Sequence, residues 1–181
     1  YERRNAFGID LNRDVVARVS AEINVFFDWI EKVNPHWCFN LHDQRNFYRP
    51  AGIAQSATIS FLAPSPDQSR SKSEARIQSM KLISLIYKEL KPIIGEAARY
   101  TDEFYPTALG DNLMNNNISN VLIECGAAAN DPLRDKARQY CFLALTHAFL
   151  IIAEDSVSEG SIDTYAQIPL NDTKMLDLKI E

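Results

Sequence analysis

The chain has 181 residues, of which 46% are apolar and 24% are charged, and its formal net charge is −5. These values are typical of one globular domain with a sizeable core. The net negative charge does not indicate a basic surface of the kind that binds nucleic acid. No apolar run approaches the roughly 20 residues that span a bilayer, so we expect no nucleic-acid partner and no membrane partner. Three cysteines without paired spacing favour buried thiols over a disulfide.

The first half of the chain predicts strands and helices in alternation. A short strand at Ile9–Leu11 is followed by an amphipathic helix from Asp14 to Val33, whose apolar residues share one face and which Pro35 ends. A buried strand is predicted at Trp37–Leu41, and a polar loop separates it from a further strand at Ala57–Leu62.

The second half continues the alternation. An amphipathic helix is predicted at Glu74–Leu90, and an Asn-rich connection with a short helical turn at Tyr100–Asn117. The strand Ser119–Glu124 follows. The last helix begins at Asp131, a side-chain cap followed by proline, and runs to Ala153.

Alternating strands and helices predict an α/β fold. We assign residues 1–155 to one domain, and the Ser-, Gly- and Asp-rich residues 156–181 to a tail or the entry to a following segment. The chain opens on Tyr1 rather than Met, and we therefore expect it to be the interior of a longer protein. Its compartment and oligomeric state stay open.

Polar side chains follow the predicted apolar strands. Glu124 follows three apolar residues and precedes Gly126 by two positions, His42 follows Leu41, and Arg13 comes shortly after the first strand. An ionisable group at the end of a buried strand is costly unless it is paired or functional. Ligands of open α/β sheets bind beyond the carboxyl ends of strands. We therefore expect Arg13, His42 and Glu124 to converge at one end of the sheet.

Each of these residues has a functional and a structural interpretation. Imidazole suits zinc, so His42 is a candidate ligand or a structural histidine. Glu124 is a candidate general base, or it pairs with an arginine and stabilises the sheet. Arg13 with Asn12 is suited to bind a carboxylate, or is a solvated arginine at a helix start.

Three more residues have the same two interpretations. Arg3 and Arg4 are suited to stabilise an oxyanion, or are surface charges. Tyr105 is placed to swing over a ligand, although a loop tyrosine is usually packing. His36 and His147 are interpreted as structural.

Four motifs in order carry a resemblance to a known family. They are RRNAFGIDLNR at Arg3–Arg13, NLHD at Asn40–Asp43, Tyr105 before a Gly-Asp turn, and LIECG at Leu122–Gly126. This set resembles the zinc carboxypeptidase family of the carboxypeptidase A type, and it covers Arg3 to about Ala153. The resemblance implies the later part of a three-layer α/β/α sandwich around a mixed sheet.

The resemblance also implies roles for the matching residues. His42 would be a zinc ligand, and Glu124 the general base and then the proton donor to the leaving amine. Arg3 would stabilise the oxyanion, with Arg4 as the alternate. The substrate's terminal carboxylate would be bound by Asn12 and Arg13, and the bound peptide covered by Tyr105.

One motif of the family is absent. Its first two zinc ligands form a His-x-x-Glu motif, and none of the three histidines here begins one. We therefore expect one zinc ligand in this chain, the other two upstream of residue 1, and no activity from this chain alone.

The function implied is zinc-dependent removal of C-terminal residues from peptides. Within the same fold, an N-acyl amino acid deacylase or a murein peptide amidase is an alternative, so the expected partner is a peptide or an N-acyl amino acid. A non-catalytic module that binds carboxylates or peptides is the alternative from a different class.

Overall fold

The structure, a computed structural model, describes residues 3–173. Its helices are α1 (Ala21–Val33), α2 (Glu74–Leu90), α3 (Leu109–Asn115), α4 (Asp135–Ala153) and α5 (Ile162–Gln167). Its strands are β1 (Trp37–Asp43), β2 (Arg49–Pro50), β3 (Ile59–Leu62), β4 (Ala97–Arg99), β5 (Ser119–Cys125) and β6 (Asn171–Asp172). Within the described residues, no helix has the length and apolar character needed to cross a membrane.

The main sheet is mixed and has the strand order β1-β5-β3-β4. β1 runs parallel to β5, β3 runs antiparallel to β5, and β4 runs parallel to β3. The short strands β2 and β6 form a separate antiparallel pair. Helices together with this mixed sheet confirm the predicted α/β class.

Helices cover both faces of the sheet. Strand residues alternate between the faces, and one face contributes Phe61, Val121 and Ile123 to the core cluster that contains the apolar residues of α2 and α4. On the other face, Phe27 of α1 and Leu113 of α3 belong to a second, smaller cluster. The described residues therefore form the expected three-layer α/β/α arrangement.

Several predicted elements appear where the sequence placed them. The helix Glu74–Leu90 has the predicted bounds, because the Ser73 side chain caps its start by accepting a hydrogen bond from Arg76 N at 3.3 Å. The strands predicted at Trp37–Leu41 and Ser119–Glu124 extend one or two residues further, to Asp43 and Cys125.

The strand predicted at Ile9–Leu11 is wrong. A 3-10 turn occupies Leu11–Arg13, and the Asp10 carboxylate accepts from Asn12 N at 3.1 Å. The Asn5 side chain accepts from Ile9 N at 3.0 Å. These side-chain hydrogen bonds hold the backbone in turns, in competition with strand pairing.

Two helices begin later than predicted. Asp14 does not start a helix: its carboxylate accepts from the backbone N–H groups of Val19 and Ser20, and α1 begins at Ala21. The Asp131 carboxylate likewise accepts a hydrogen bond from Ala137 N, six residues ahead, at 3.1 Å, and α4 begins at Asp135.

The stretch expected as a tail is folded onto the core as far as Asp172. Val157, Tyr165 and Ile168 belong to the main core cluster, and the Tyr165 hydroxyl accepts a hydrogen bond from Ala63 N at 3.1 Å. Residues 174–181, the remainder of that segment, lie outside the described residues.

Candidate functional site

His42 and Glu124 lie side by side at the carboxyl ends of two parallel strands. The register of β1 and β5 pairs them directly, and their side chains share one face of the sheet. The distance between His42 Nδ1 and Glu124 Oε1 is 3.5 Å. Both side chains are mostly shielded from solvent, with 28% and 12% of their side-chain surface exposed.

A cavity of about 270 Å³ opens beside this pair. All six residues to which a role was assigned line it: Arg3, Asn12, Arg13, His42, Tyr105 and Glu124. The structure therefore brings together residues from an N-terminal turn, two strands and the loop before α3.

Glu124 is an unusual carboxyl group. Its Oε2 is buried and has no hydrogen-bond partner among the described residues. Burial, with smaller effects of the Asp43 and Cys125 charges, raises the pKa of Glu124 to about 7. Such a group exchanges a proton readily at neutral pH, which is the property of a general acid or base.

The pKa of His42 is shifted in the opposite direction, below its ordinary value. Burial lowers the pKa of its imidazole, and the positive charges of Arg13 and Arg3 lower it further. The ring is therefore neutral at neutral pH, and its contact with Glu124 is not an ion pair. A neutral imidazole is the form that binds a metal ion.

The turn at Leu11–Arg13 places Asn12 and Arg13 at the cavity. The Asn12 side-chain oxygen accepts from Leu109 N at 3.1 Å, which ties the turn to the start of α3. The Arg13 guanidinium donates to Asn12 O at 3.0 Å, and no carboxylate of residues 3–173 forms an ion pair with it. Arg13 is thus a cation beside the cavity whose guanidinium forms no ion pair in the described chain.

Of the two arginines considered for an oxyanion, Arg3 lines the cavity and Arg4 does not. Arg3 Nε donates to Asp10 Oδ2 at 2.6 Å. Arg4 donates to Gly8 O at 2.7 Å instead. The structure therefore places Arg3, and not its alternate Arg4, at the cavity.

Tyr105 is half exposed at the cavity rim. Its hydroxyl donates to Glu103 Oε2 at 2.9 Å, and its backbone N–H donates to Asp111 Oδ1 at 3.0 Å. Its ring is therefore held by contacts within its own loop.

Sequence reasoning assigned no role to several other residues that line the cavity. Asn40 precedes His42 by two positions on β1, so strand alternation alone places it on the same face. Tyr100 follows β4, which was not predicted, and its hydroxyl donates to Gln44 Oε1 at 3.0 Å. Burial, together with the nearby Glu124 charge, raises the pKa of Tyr100.

Two further cavities lie near this one. One, of about 310 Å³, shares Arg3, His42, Tyr100 and Glu124 with it. The second, of about 650 Å³, lies beyond Asp43 and is lined by Arg134, which forms an ion pair with that aspartate.

The glycine after β5 is required by a close approach of two backbones. A Cβ on Gly126 would lie 1.9 Å from Ala57 O, closer than any real contact. The backbone after β5 thereby packs against the segment before β3. This contact fixes the carboxyl end of the strand that carries Glu124.

The described residues fit a zinc ion only in part. His42 is neutral, partly exposed and lines the cavity, as a ligand must. Residues 3–173 nevertheless contain no group of three or more His, Cys, Asp or Glu side chains that could hold a metal ion. A zinc site needs at least three protein ligands, so these residues do not complete one.

Comparison with known proteins adds no relative. No protein-family model matches the chain, and no match was found among curated proteins or among solved structures.

Proposed function

We propose that this chain carries the proton-transfer group and the carboxylate-binding group of a zinc-dependent hydrolase that removes the C-terminal residue of a peptide. The observation that carries the proposal is the pairing of His42 with Glu124 in one cavity that Arg13 also lines. N-acyl amino acids, which present the same amide bond next to a free carboxylate, belong to the same substrate class.

Glu124 takes the proton in this proposal. With a pKa of about 7 it is partly ionised at neutral pH, so it can accept a proton from water and return it to the leaving amine. Its Oε2 has no hydrogen-bond partner in the described chain, which leaves that oxygen available to a reacting molecule.

Arg13 and Asn12 bind the terminal carboxylate. A guanidinium forms two parallel hydrogen bonds to a carboxylate, and Arg13 forms no ion pair with a carboxylate of the described residues. The positively charged guanidinium of Arg3 stabilises the negative charge that develops on the carbonyl oxygen of the scissile bond.

Zinc, when bound, would supply polarisation of the scissile carbonyl. His42 would supply one of its ligands, and the others would come from sequence outside these 181 residues. The resemblance to zinc carboxypeptidases in four ordered motifs is the support for this assignment.

A non-catalytic module that binds carboxylates is the second candidate. It is favoured by the finding that residues 3–173 hold no complete metal-ligand group while they keep Arg13 beside an open cavity. In that case Glu124 would act in binding only.

Replacement of Glu124 separates the two candidates. In the zinc-loaded protein that carries the remaining ligands, we expect Glu124→Gln to reduce peptide hydrolysis at least about 10²–10⁴-fold, because general acid–base groups contribute that much. Release of the C-terminal amino acid is measured, with Glu154→Gln on the exposed end of α4 as the control variant. Hydrolysis within a few-fold of the native rate in the Gln variant would exclude this role, and no hydrolysis by the native protein would favour the binding module.

A further inference from the structure

Two of the three cysteines meet on the face of the sheet opposite Glu124. All three are free thiols at partly exposed residues. Cys125 ends β5, and strand alternation places it on the face of Val121 and Ile123, which belong to the main core cluster. Cys141, in the second turn of α4, packs against the same cluster. The proposed hydrolysis uses neither thiol.

These two thiols are in hydrogen-bond contact. The Cys141 S–H donates to the sulfur of Cys125, and this contact lowers the pKa of Cys125 below its ordinary value. The nearby Arg134 guanidinium lowers it further, whereas burial and the charge of Asp43 act in the opposite direction. The same contact, together with burial, raises the pKa of Cys141. Cys125 is therefore the thiol that ionises first, and Cys141 is the one that keeps its proton.

Both cysteines line one cavity of about 270 Å³, which we call the cysteine cavity. Its walls come from the carboxyl ends of β1 and β5 and from α4, and they include the Arg138 side chain. Leu41 and Phe142 also line it, and more than half of each of these residues is exposed. The cysteine cavity therefore opens to solvent, and a small molecule has access to the thiol pair from there.

Cys38 provides an internal comparison. It lies on β1 and packs against the second core cluster, which contains residues of α1 and α3 on the opposite face of the sheet. Burial raises the pKa of its thiol, and a hydrogen bond with Asn120 offsets this only in part. Cys38 is thus separated from the other two cysteines by the sheet, and its thiol is less acidic than that of Cys125.

We propose that Cys125 and Cys141 form a reactive dithiol, a modification site whose substrate is a low-molecular-weight disulfide. In the first step the Cys125 thiolate attacks one sulfur of the disulfide R–S–S–R, a mixed disulfide forms, and one RS⁻ leaves and takes up a proton. The Cys141 thiol then loses its proton and attacks the Cys125 sulfur, so that the two cysteines become joined and the second RS⁻ leaves with that proton. The cysteine pair is thereby oxidised to a disulfide, and the small disulfide is reduced to thiols.

Reaction of the metal-free 181-residue chain with glutathione disulfide tests this inference. The chain is incubated at neutral pH without oxygen, samples are quenched with acid, and the disulfides are located by mass spectrometry of unreduced peptides. We expect one disulfide per chain, between Cys125 and Cys141. We expect Cys125 to react at least about tenfold faster than Cys38, because the thiolate is the nucleophile. In urea that unfolds the chain, this preference should disappear.

Three serine variants separate the roles of the cysteines. Cys141→Ser should accumulate a mixed disulfide between Cys125 and glutathione, because the second step is blocked. Cys125→Ser should slow the modification of Cys141 at least about tenfold, since the attacking thiolate is removed. Cys38→Ser is the matched control and should form the disulfide between Cys125 and Cys141 at the native rate.

Several outcomes would overturn the inference. These are modification of Cys38 as fast as that of Cys125, a preference for Cys125 that persists in urea, and no reaction of any cysteine. A native chain that stops at the mixed disulfide would overturn the role of Cys141, and an unchanged rate for Cys141 in Cys125→Ser would overturn that of Cys125. Each of these results leaves the proposed hydrolysis unaffected, because neither thiol takes part in it.

Discussion

The Oε2 atom of Glu124 is a buried oxygen with no hydrogen-bond partner in the described chain. Nearly all buried polar atoms in native proteins have a partner, so each exception calls for a reason. The carboxyl group also has a raised pKa, because burial disfavours its charged form. Glu124 therefore reduces the stability of the chain at neutral pH, and perturbed carboxyl groups of this kind are frequent at functional sites.

The pH dependence of stability tests this property in the metal-free chain. The folded pKa of Glu124 is about 7 against 4.5 for the ordinary group, so its contribution to stability is fully present below about pH 4.5 and is lost as pH rises through 7. Between pH 4.5 and pH 8 we expect it to lower the free energy of unfolding by up to about 3 kcal/mol. Glu124→Gln should remove this part of the decrease, as measured by urea unfolding at both values.

The control is Glu154→Gln, on an exposed carboxyl group, which should follow the native chain at each pH. If the native and Glu124→Gln chains lose the same stability between the two pH values, Glu124 ionises as an ordinary carboxyl group and burial does not raise its pKa.

At the scale of elements, the sequence predicts what local chemistry determines. The helix Glu74–Leu90 has a serine cap before it, one apolar face and a proline after it, and these signals agree. The strands β1 and β5 follow from runs of apolar residues. Because His42 and Glu124 each end one of these strands, they were expected to lie close together, and the two adjacent parallel strands pair them directly.

The parts that sequence reasoning missed depend on hydrogen bonds from side chains to backbone groups several residues away, or on pairing between distant segments. Asp14 and Asp131 are ordinary helix-cap residues, yet each bonds to N–H groups five or six residues ahead, and the helices begin later. The strand β4 consists of Ala97–Arg99, two alanines and an arginine without a strand pattern, and only its pairing with β3 defines it.

Arg76 connects α2 to the loop that precedes Tyr105. Its guanidinium is buried and donates to Ala63 O, to Arg70 O at 2.7 Å and to Asp102 Oδ2 at 2.5 Å. Asp102 stands three residues before Tyr105 in the chain. The buried cation therefore holds together two loops, one of which carries the rim of the cavity.

Arg76→Met should destabilise the chain by about 3 kcal/mol, because it leaves buried and partly buried carbonyl groups without their donor and leaves Asp102 with Arg70 as its remaining cation. Arg70→Met is the matched control, since Arg70 pairs with the same Asp102 at 3.3 Å from an exposed position and should cost less than about 1 kcal/mol. Urea unfolding measures both values. Similar costs for the two variants would show that the Arg76 contacts are no stronger than a surface ion pair.

At the scale of the whole molecule, β1 forms an edge of the main sheet. Its outer side has no strand partner among residues 3–173, and apolar side chains stand exposed beside it, including Leu41 at 58% and Phe142 at 68%. A seven-residue edge strand with apolar neighbours is normally covered or blocked by charge. This edge, which carries His42, is therefore a place where another strand can pair with the described sheet.

Zinc binding by the 181-residue chain tests the ligand set of the proposed site. The described residues supply His42 but no group of three ligands, and a tight zinc site needs at least three. We therefore expect calorimetric titration of the purified chain with zinc to show no stoichiometric tight binding, and we expect no peptidase activity from residues 1–181 alone. A form of the protein that carries two further ligands should regain both.

Two histidine variants, His42→Ala and His147→Ala, test this expectation. His147→Ala on α4 is the control, because His147 does not line the cavity, and any weak surface binding of zinc should be the same in both variants. One tightly bound zinc per chain that is lost in His42→Ala but kept in His147→Ala would show that this chain builds its own zinc site. The ligands would then be present within the 181 residues, and the assignment of the missing ligands to other sequence would be wrong.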